Sequence, residues 1–247
     1  MMSRIRSTLL LSVVLWALAG QSSAAHADCV DVALVLTVDS SASVSAEEFA
    51  LQQNGIAGAF RSPEVQDAVR MAGRVAVSII IWGSEGQVRP QSGWMLLDGE
   101  EGAEAFARTV ETMPRVVGGD TGLGAGLLAA VEKFGTLDFC AIRKVVNVSG
   151  DGQDTMLYRR KRQSPAPVQV REMATAGDIE INALAISNEE PNLAQYYAGN
   201  VITGPAAFVM EARNYQQFAE ALRRKLIREI GPRLISDAPH APGPVLR

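Results

Sequence analysis

Asp39, Ser41 and Ser43 alternate along Asp39-Ser40-Ser41-Ala42-Ser43, one carboxylate and two hydroxyls with no sulfur or imidazole among them. A set of that kind is hard and all-oxygen, and it suits Mg²⁺ or Mn²⁺. Two later stretches carry matching chemistry, Gly118-Gly119-Asp120-Thr121-Gly122 and Ser149-Gly150-Asp151-Gly152. Any one of these loops reads equally well as turn and capping residues, since Ser, Thr and Asp serve helix N-termini.

The elements around the first loop decide how it is presented. Val32–Val38 is an unbroken β-branched and aliphatic run, the composition of a strand buried on both faces. Ser45-Ala46-Glu47-Glu48 follows, an S-x-x-E capping box that opens a helix over Ala46–Phe60. The polar residues therefore sit at the carboxyl end of a strand, where ligands bind in open α/β sheets. Further on, strands are expected at Arg74–Trp82, Gln87–Leu97 (an antiparallel return after Gly83-Ser84-Glu85-Gly86), Lys144–Ser149, Ile179–Ile186 and Ala206–Met210. Helices alternate with them; Pro63 interrupts the first, with Val65–Met71 expected to continue it after a kink, and the last, Asn214–Ile230, spaces Phe218, Leu222, Leu226 and Ile230 by four. Alternation of this kind predicts a mostly parallel sheet with helices on both faces.

The strand, the capped helix and the order of the three polar loops resemble the von Willebrand factor type A domain, whose D-x-S-x-S signature carries a metal-ion-dependent adhesion site. The resemblance covers roughly residues 30–230. It implies an α/β, doubly wound, six-stranded sheet in the order 3-2-1-4-5-6, with strand 3 an antiparallel edge. In that family the second loop supplies a threonine and the third an aspartate, so the implied metal set is Asp39, Ser41, Ser43, Thr121 and Asp151. The family usually places a Ser or Thr directly before that aspartate, whereas Gly150 stands there here. Asn182-Ala183-Leu184-Ala185-Ile186 and Ala206-Ala207-Phe208-Val209 look like a subgroup of uncharacterised exported bacterial relatives.

Residues 1–27 have the pattern of a secretory signal peptide: Arg4 and Arg6, an apolar run from Leu9 to Ala19, and Ala25-His26-Ala27 as a small-x-small cleavage site. Residues 28–231 form the expected domain, and 232–247 a Pro-rich flexible tail. After cleavage no stretch of membrane-spanning length remains, so the expected location is periplasmic or secreted. Cleavage removes two of the 23 basic residues and none of the 27 acidic ones. The resulting acidic surface has no bulk attraction for nucleic acid. It also leaves His240 as the sole histidine, in the Pro-rich tail, which excludes most histidine-dependent chemistry: Ser-His-Asp triads, Cys-His pairs and His-ligated zinc. Two cysteines remain, Cys29 and Cys140, and an even pair in an exported protein points to a disulfide. With strands 1 and 4 adjacent, as the implied order has them, and their aspartates level, both cysteines fall together at the far end of the sheet.

The function these features predict is non-catalytic: an adhesion or complex-assembly domain whose Mg²⁺ or Mn²⁺ captures a carboxylate of a protein ligand. Two other readings are a metal-dependent hydrolase, for which no histidine base is at hand, and a structural assembly subunit with a vestigial site. The glycines at 119, 122, 124 and 126 lack the GxGxxG spacing and a preceding buried strand, so a nucleotide loop is discounted. Arg159-Arg160-Lys161-Arg162 reads as a solvated loop near the ligand face.

Overall fold

In β1 (Val30–Asp39) every residue but Asp31 is buried, because both faces of the strand are covered. Side chains alternate between those faces. Val32, Leu34, Leu36 and Val38 enter one apolar layer with α1 (Ala46–Arg61), α2 (Pro63–Ala72), α3 (Gly99–Glu111) and α7 (Phe218–Ile230). Val30, Ala33 and Val35 enter the other, against α4 (Leu123–Lys133), α5 (Pro167–Ala176) and α6 (Leu193–Asn200). The computed structural model describes residues 29–87, 89–115, 119–155, 164–232 and 245–246. The expected signal peptide at 1–27, the basic run Arg159–Arg162 and most of the expected tail at 232–247 lie outside the described residues.

β1 lies between β2 (Val75–Trp82) and β4 (Ala141–Gly150), both parallel to it. β3 (Met95–Leu96) is the antiparallel edge, and β5 (Ile179–Ile186) and β6 (Val209–Ala212) continue beyond β4. The six strands thus run 3-2-1-4-5-6, the order the sequence implied. A two-residue strand, β7 (Val245–Leu246), pairs parallel to β6 on its outer side.

The structure corrects several boundaries. The expected return strand at Gln87–Leu97 keeps a ladder only at Met95–Leu96, with one further bridge from Gln91 to Ile80. Pro90 has no N–H to donate. Ser92 takes over part of the pairing through its side chain, whose Oγ accepts from Ile79 N at 3.1 Å. The first helix does not kink at Pro63. It ends, and Ser62 serves both as its C-cap and as the N-cap of α2, with Pro63 in the first turn. α7 begins only at Phe218, after a 3₁₀ turn over Tyr215–Gln217. Within it Lys225 Nζ and Glu229 Oε1 form a buried ion pair at 2.5 Å, and Lys225 Nζ pins the helix to the sheet by donating to the Asn182 carbonyl of β5 at 3.2 Å. Asn147 Nδ2 of β4 donates to the other oxygen of Glu229 at 2.6 Å.

Cys29 and Cys140 form a disulfide with their Cα atoms 4.4 Å apart, at the end of the sheet opposite the polar loops. The aspartates, however, are not level. Val30 pairs with Ala141 and Val38 with Ser149, so Asp39 stands beside Gly150 and Asp151 one residue further on. The cysteine-to-aspartate spacing is one residue longer in the second strand, and the register holds the cysteines together instead.

Candidate metal centre

The loop after β1 is held from three sides. Ser40 N donates to the Trp82 carbonyl at 2.8 Å, Ala42 N to the Gly119 carbonyl at 3.3 Å, and Gln52 Nε2 of α1 to the Asp39 carbonyl at 3.0 Å. The capping box is formed, with Glu48 N donating to Ser45 Oγ at 3.2 Å and Ser45 N to Glu48 Oε2 at 2.8 Å. The 119–122 loop is pressed onto the end of β2, where Gly122 N donates to the Gly83 carbonyl at 3.2 Å. One turn into α4, a Cβ on Gly126 would stand 2.6 Å from the Trp82 ring. The glycines there serve close packing rather than phosphate binding. Thr121 is fixed at both backbone atoms by Thr155: its N–H donates to Thr155 Oγ1 at 2.8 Å, and its carbonyl accepts from Thr155 N at 3.1 Å.

The five side chains singled out by the sequence come together. Thr121 Oγ1 donates to Ser41 Oγ at 3.4 Å, Ser41 Oγ and Ser43 Oγ are 3.2 Å apart, and Ser43 Oγ donates to Asp151 Oδ1 at 2.8 Å. Asp39 joins through its Oδ1, which accepts from Ser41 N at 2.8 Å. Its Oδ2 is buried without a hydrogen-bond partner. A buried carboxylate oxygen left unpaired is costly and asks for a cation or a proton. Among the described residues, no group of three or more His, Cys, Asp or Glu side chains is placed to hold a metal ion. A cation here would therefore draw on hydroxyls beyond its two carboxylates, a combination that fits a hard divalent ion.

Electrostatics agree with that fit. Burial, with the Asp151 charge second, pushes the Asp39 carboxyl up to about 7. Burial also raises Asp151, against hydrogen bonds from Ser43 and Tyr215 that favour its charged form. Because Asp39 is raised in the fold above its ordinary value near ~4, its protonated form is favoured at low pH. Its contribution to the stability of the metal-free protein is complete below about pH 4 and is lost as pH rises through about 7. A cation binding here would have to displace that proton. Mg²⁺ affinity is accordingly expected to fall about tenfold per pH unit from 7 down to 5, with release of one proton in calorimetry run in buffers of different ionisation enthalpy. A flat affinity over that range would contradict the raised Asp39.

Several contributors carried no sequence signal. Tyr215 Oη donates to Asp151 Oδ2 at 2.9 Å and Tyr197 Oη to the Gly152 carbonyl at 3.1 Å. Asp154 Oδ1 accepts from Gly124 N at 3.2 Å, tying the third loop to the start of α4.

A mostly parallel sheet in this order, with polar loops gathered at its carboxyl edge, is a doubly wound arrangement, and the solved structures that superpose on it identify it as the von Willebrand factor type A fold. A von Willebrand factor type A protein from Catenulispora acidiphila matches with a TM-score of 0.54 at 17% identity, over 83% of this chain and 44% of that one. Proximal thread matrix protein 1 from the mussel byssus, solved with a zinc-occupied MIDAS motif, matches at 0.55 and 15% identity, over 81% and 46%. The pilus adhesin SpaC from Lactobacillus rhamnosus GG matches at 0.60 and 15% identity, over 82% of this chain. The chain spans only 30% of the adhesin's length, and at these identities the likeness establishes the fold alone. The chain belongs to the family described as protein of unknown function DUF1194, whose model matches residues 28–234. A search of curated proteins returned no match.

Proposed function

We propose that this chain is an exported, non-catalytic binding domain that captures an acidic group of a protein ligand through a divalent cation, Mg²⁺ or Mn²⁺. The unpaired, buried Asp39 Oδ2 beside a run of hydrogen-bonded hydroxyls carries the reading. Asp39 and Asp151 supply the charge, and Ser41, Ser43 and Thr121 supply neutral oxygens. A bound cation contributes an electrophilic position that a ligand carboxylate can fill. Ala42 and Ser43 are exposed, so the site opens to solvent along the first loop. The relatives named above as a pilus adhesin and a byssal matrix protein are in keeping with a binding role.

Export is part of the proposal. The Cys29–Cys140 disulfide suits an oxidising compartment, and among the described residues no helix is long and apolar enough to cross a membrane. The test is calorimetric titration of the purified protein with Mg²⁺ and Mn²⁺, followed by capture of envelope proteins with Mg²⁺ or with EDTA. Saturable cation binding and EDTA-sensitive capture are expected. No cation binding would defeat the reading, and cation binding with EDTA-insensitive capture would leave a metal site that does not serve the ligand.

A further inference from the structure

Asp151 sits between Gly150, the last residue of β4, and Gly152, so its backbone is flanked on both sides by the least restrained residue type. A carboxylate on such a loop needs outside restraint to hold one direction, and two tyrosines from distant elements provide it. Tyr215, in the 3₁₀ turn that leads into α7, donates to Oδ2 at 2.9 Å, opposite the Ser43 bond to Oδ1. Tyr197, in α6, donates to the carbonyl of Gly152 at 3.1 Å. Both are buried, Tyr197 at 0% and Tyr215 at 3% exposure. The space next to the strand is built around the Tyr197 phenol. A Cβ at position 150 would stand 2.8 Å from Tyr197 Oη and 3.0 Å from Asp39 Oδ2, so glycine at 150 is what admits the tyrosine.

We propose that Tyr215 and Tyr197 are positioning residues of the cation site, and that by fixing the Asp151 carboxylate and its loop they set a preference for a small octahedral cation over a larger one. The inference rests on the cation-binding reading above. Mg²⁺ demands near-ideal octahedral geometry, whereas Ca²⁺ accepts loose, variable shells, so slackening one ligand penalises Mg²⁺ more than Ca²⁺. Outer hydrogen bonds to metal-ligating groups typically carry 10- to 100-fold in affinity.

The test compares the full chain with Tyr215→Phe and Tyr197→Phe, each lacking one oxygen, in calorimetric titrations with Mg²⁺ and with Ca²⁺. In Tyr215→Phe, Mg²⁺ affinity is expected to fall roughly 10- to 100-fold and Ca²⁺ affinity by much less, so that the ratio of the two drops. Tyr197→Phe should move the ratio the same way by a smaller factor. Should Tyr215→Phe fail to fold, Tyr197→Phe reads the same ratio. A ratio unchanged in the folded variants, with the wild type binding Mg²⁺, assigns the tyrosines to packing and overturns the proposal alone. A wild type that takes both cations equally well also overturns it. A wild type that binds neither removes the cation reading and this inference with it.

Discussion

Asp39→Ala is expected to abolish Mg²⁺ and Mn²⁺ binding, by more than about a thousandfold, while the metal-free variant stays folded. The carboxylate supplies charge as well as geometry, whereas Ser43→Ala removes one hydroxyl that water can replace and should only weaken binding. Metal binding and folding separate because the ionised Asp39 carboxylate contributes nothing favourable to the metal-free fold above its raised pKa. Its Oδ2 is buried and unpaired, and its ionised form is disfavoured up to about pH 7. Asp39→Asn keeps an acceptor for Ser41 N and removes the charge. Its metal-free melting temperature at pH 8 should equal or exceed that of the wild type, because above the raised pKa the wild type must hold an unpaired anion. Titration calorimetry and thermal melts on the same samples check both halves. Retained metal affinity in a folded Asp39→Ala protein would remove Asp39 from the site.

The second large effect concerns the opposite end of the sheet. Cys29 and Cys140 are 111 residues apart in sequence, and their bond closes a loop for which chain entropy gives about 4–5 kcal/mol of stabilisation. Residual structure in the unfolded chain makes that an upper figure. The Cys29→Ser/Cys140→Ser protein is expected to unfold at lower denaturant with its Mg²⁺ affinity unchanged within about twofold. The ten residues of β1 separate the bond from the polar loops, about 30 Å at ~3.3 Å per residue. An unchanged denaturation midpoint would mean that the unfolded chain is already constrained without the bond. A large loss of cation affinity would mean that the two ends of the sheet are coupled.

Most of the fold was legible because β1, β2, β4 and β5 lie between two layers of helices. β1 and β2 therefore read as nearly continuous apolar runs, and β4 and β5 as apolar runs interrupted only by a few polar residues such as Asn147, Glu180 and Asn182. The loop after β1 was legible for a local reason, the Ser45–Glu48 box that starts α1. β3 was overextended because Gln87–Leu97 follows β2 in space without its regular ladder, and Pro90 and Ser92 make that difference through single atoms. The position of Asp151 one step beyond Asp39 depends on register, which the cysteines and the core decide across more than a hundred residues. Tyr197 and Tyr215 were invisible for a similar reason. Each reaches the 151–152 loop from an element far along the chain, and a phenol in an apolar surrounding reads as core until its hydroxyl partner is seen.

The two-residue strand beside β6 has a meaning for solubility. An open β6 would present a row of unpaired backbone groups from Val209–Ala212, a template for sheet-to-sheet association between molecules. Val245–Leu246 occupies that edge at Val209 and Met210, and on the other side β3 offers an edge only two residues long. Val245 and Leu246 thus act as a plug on that part of the edge. A chain shortened after Pro232 would keep every residue of the candidate metal centre and yet gain a surface on which copies can stack.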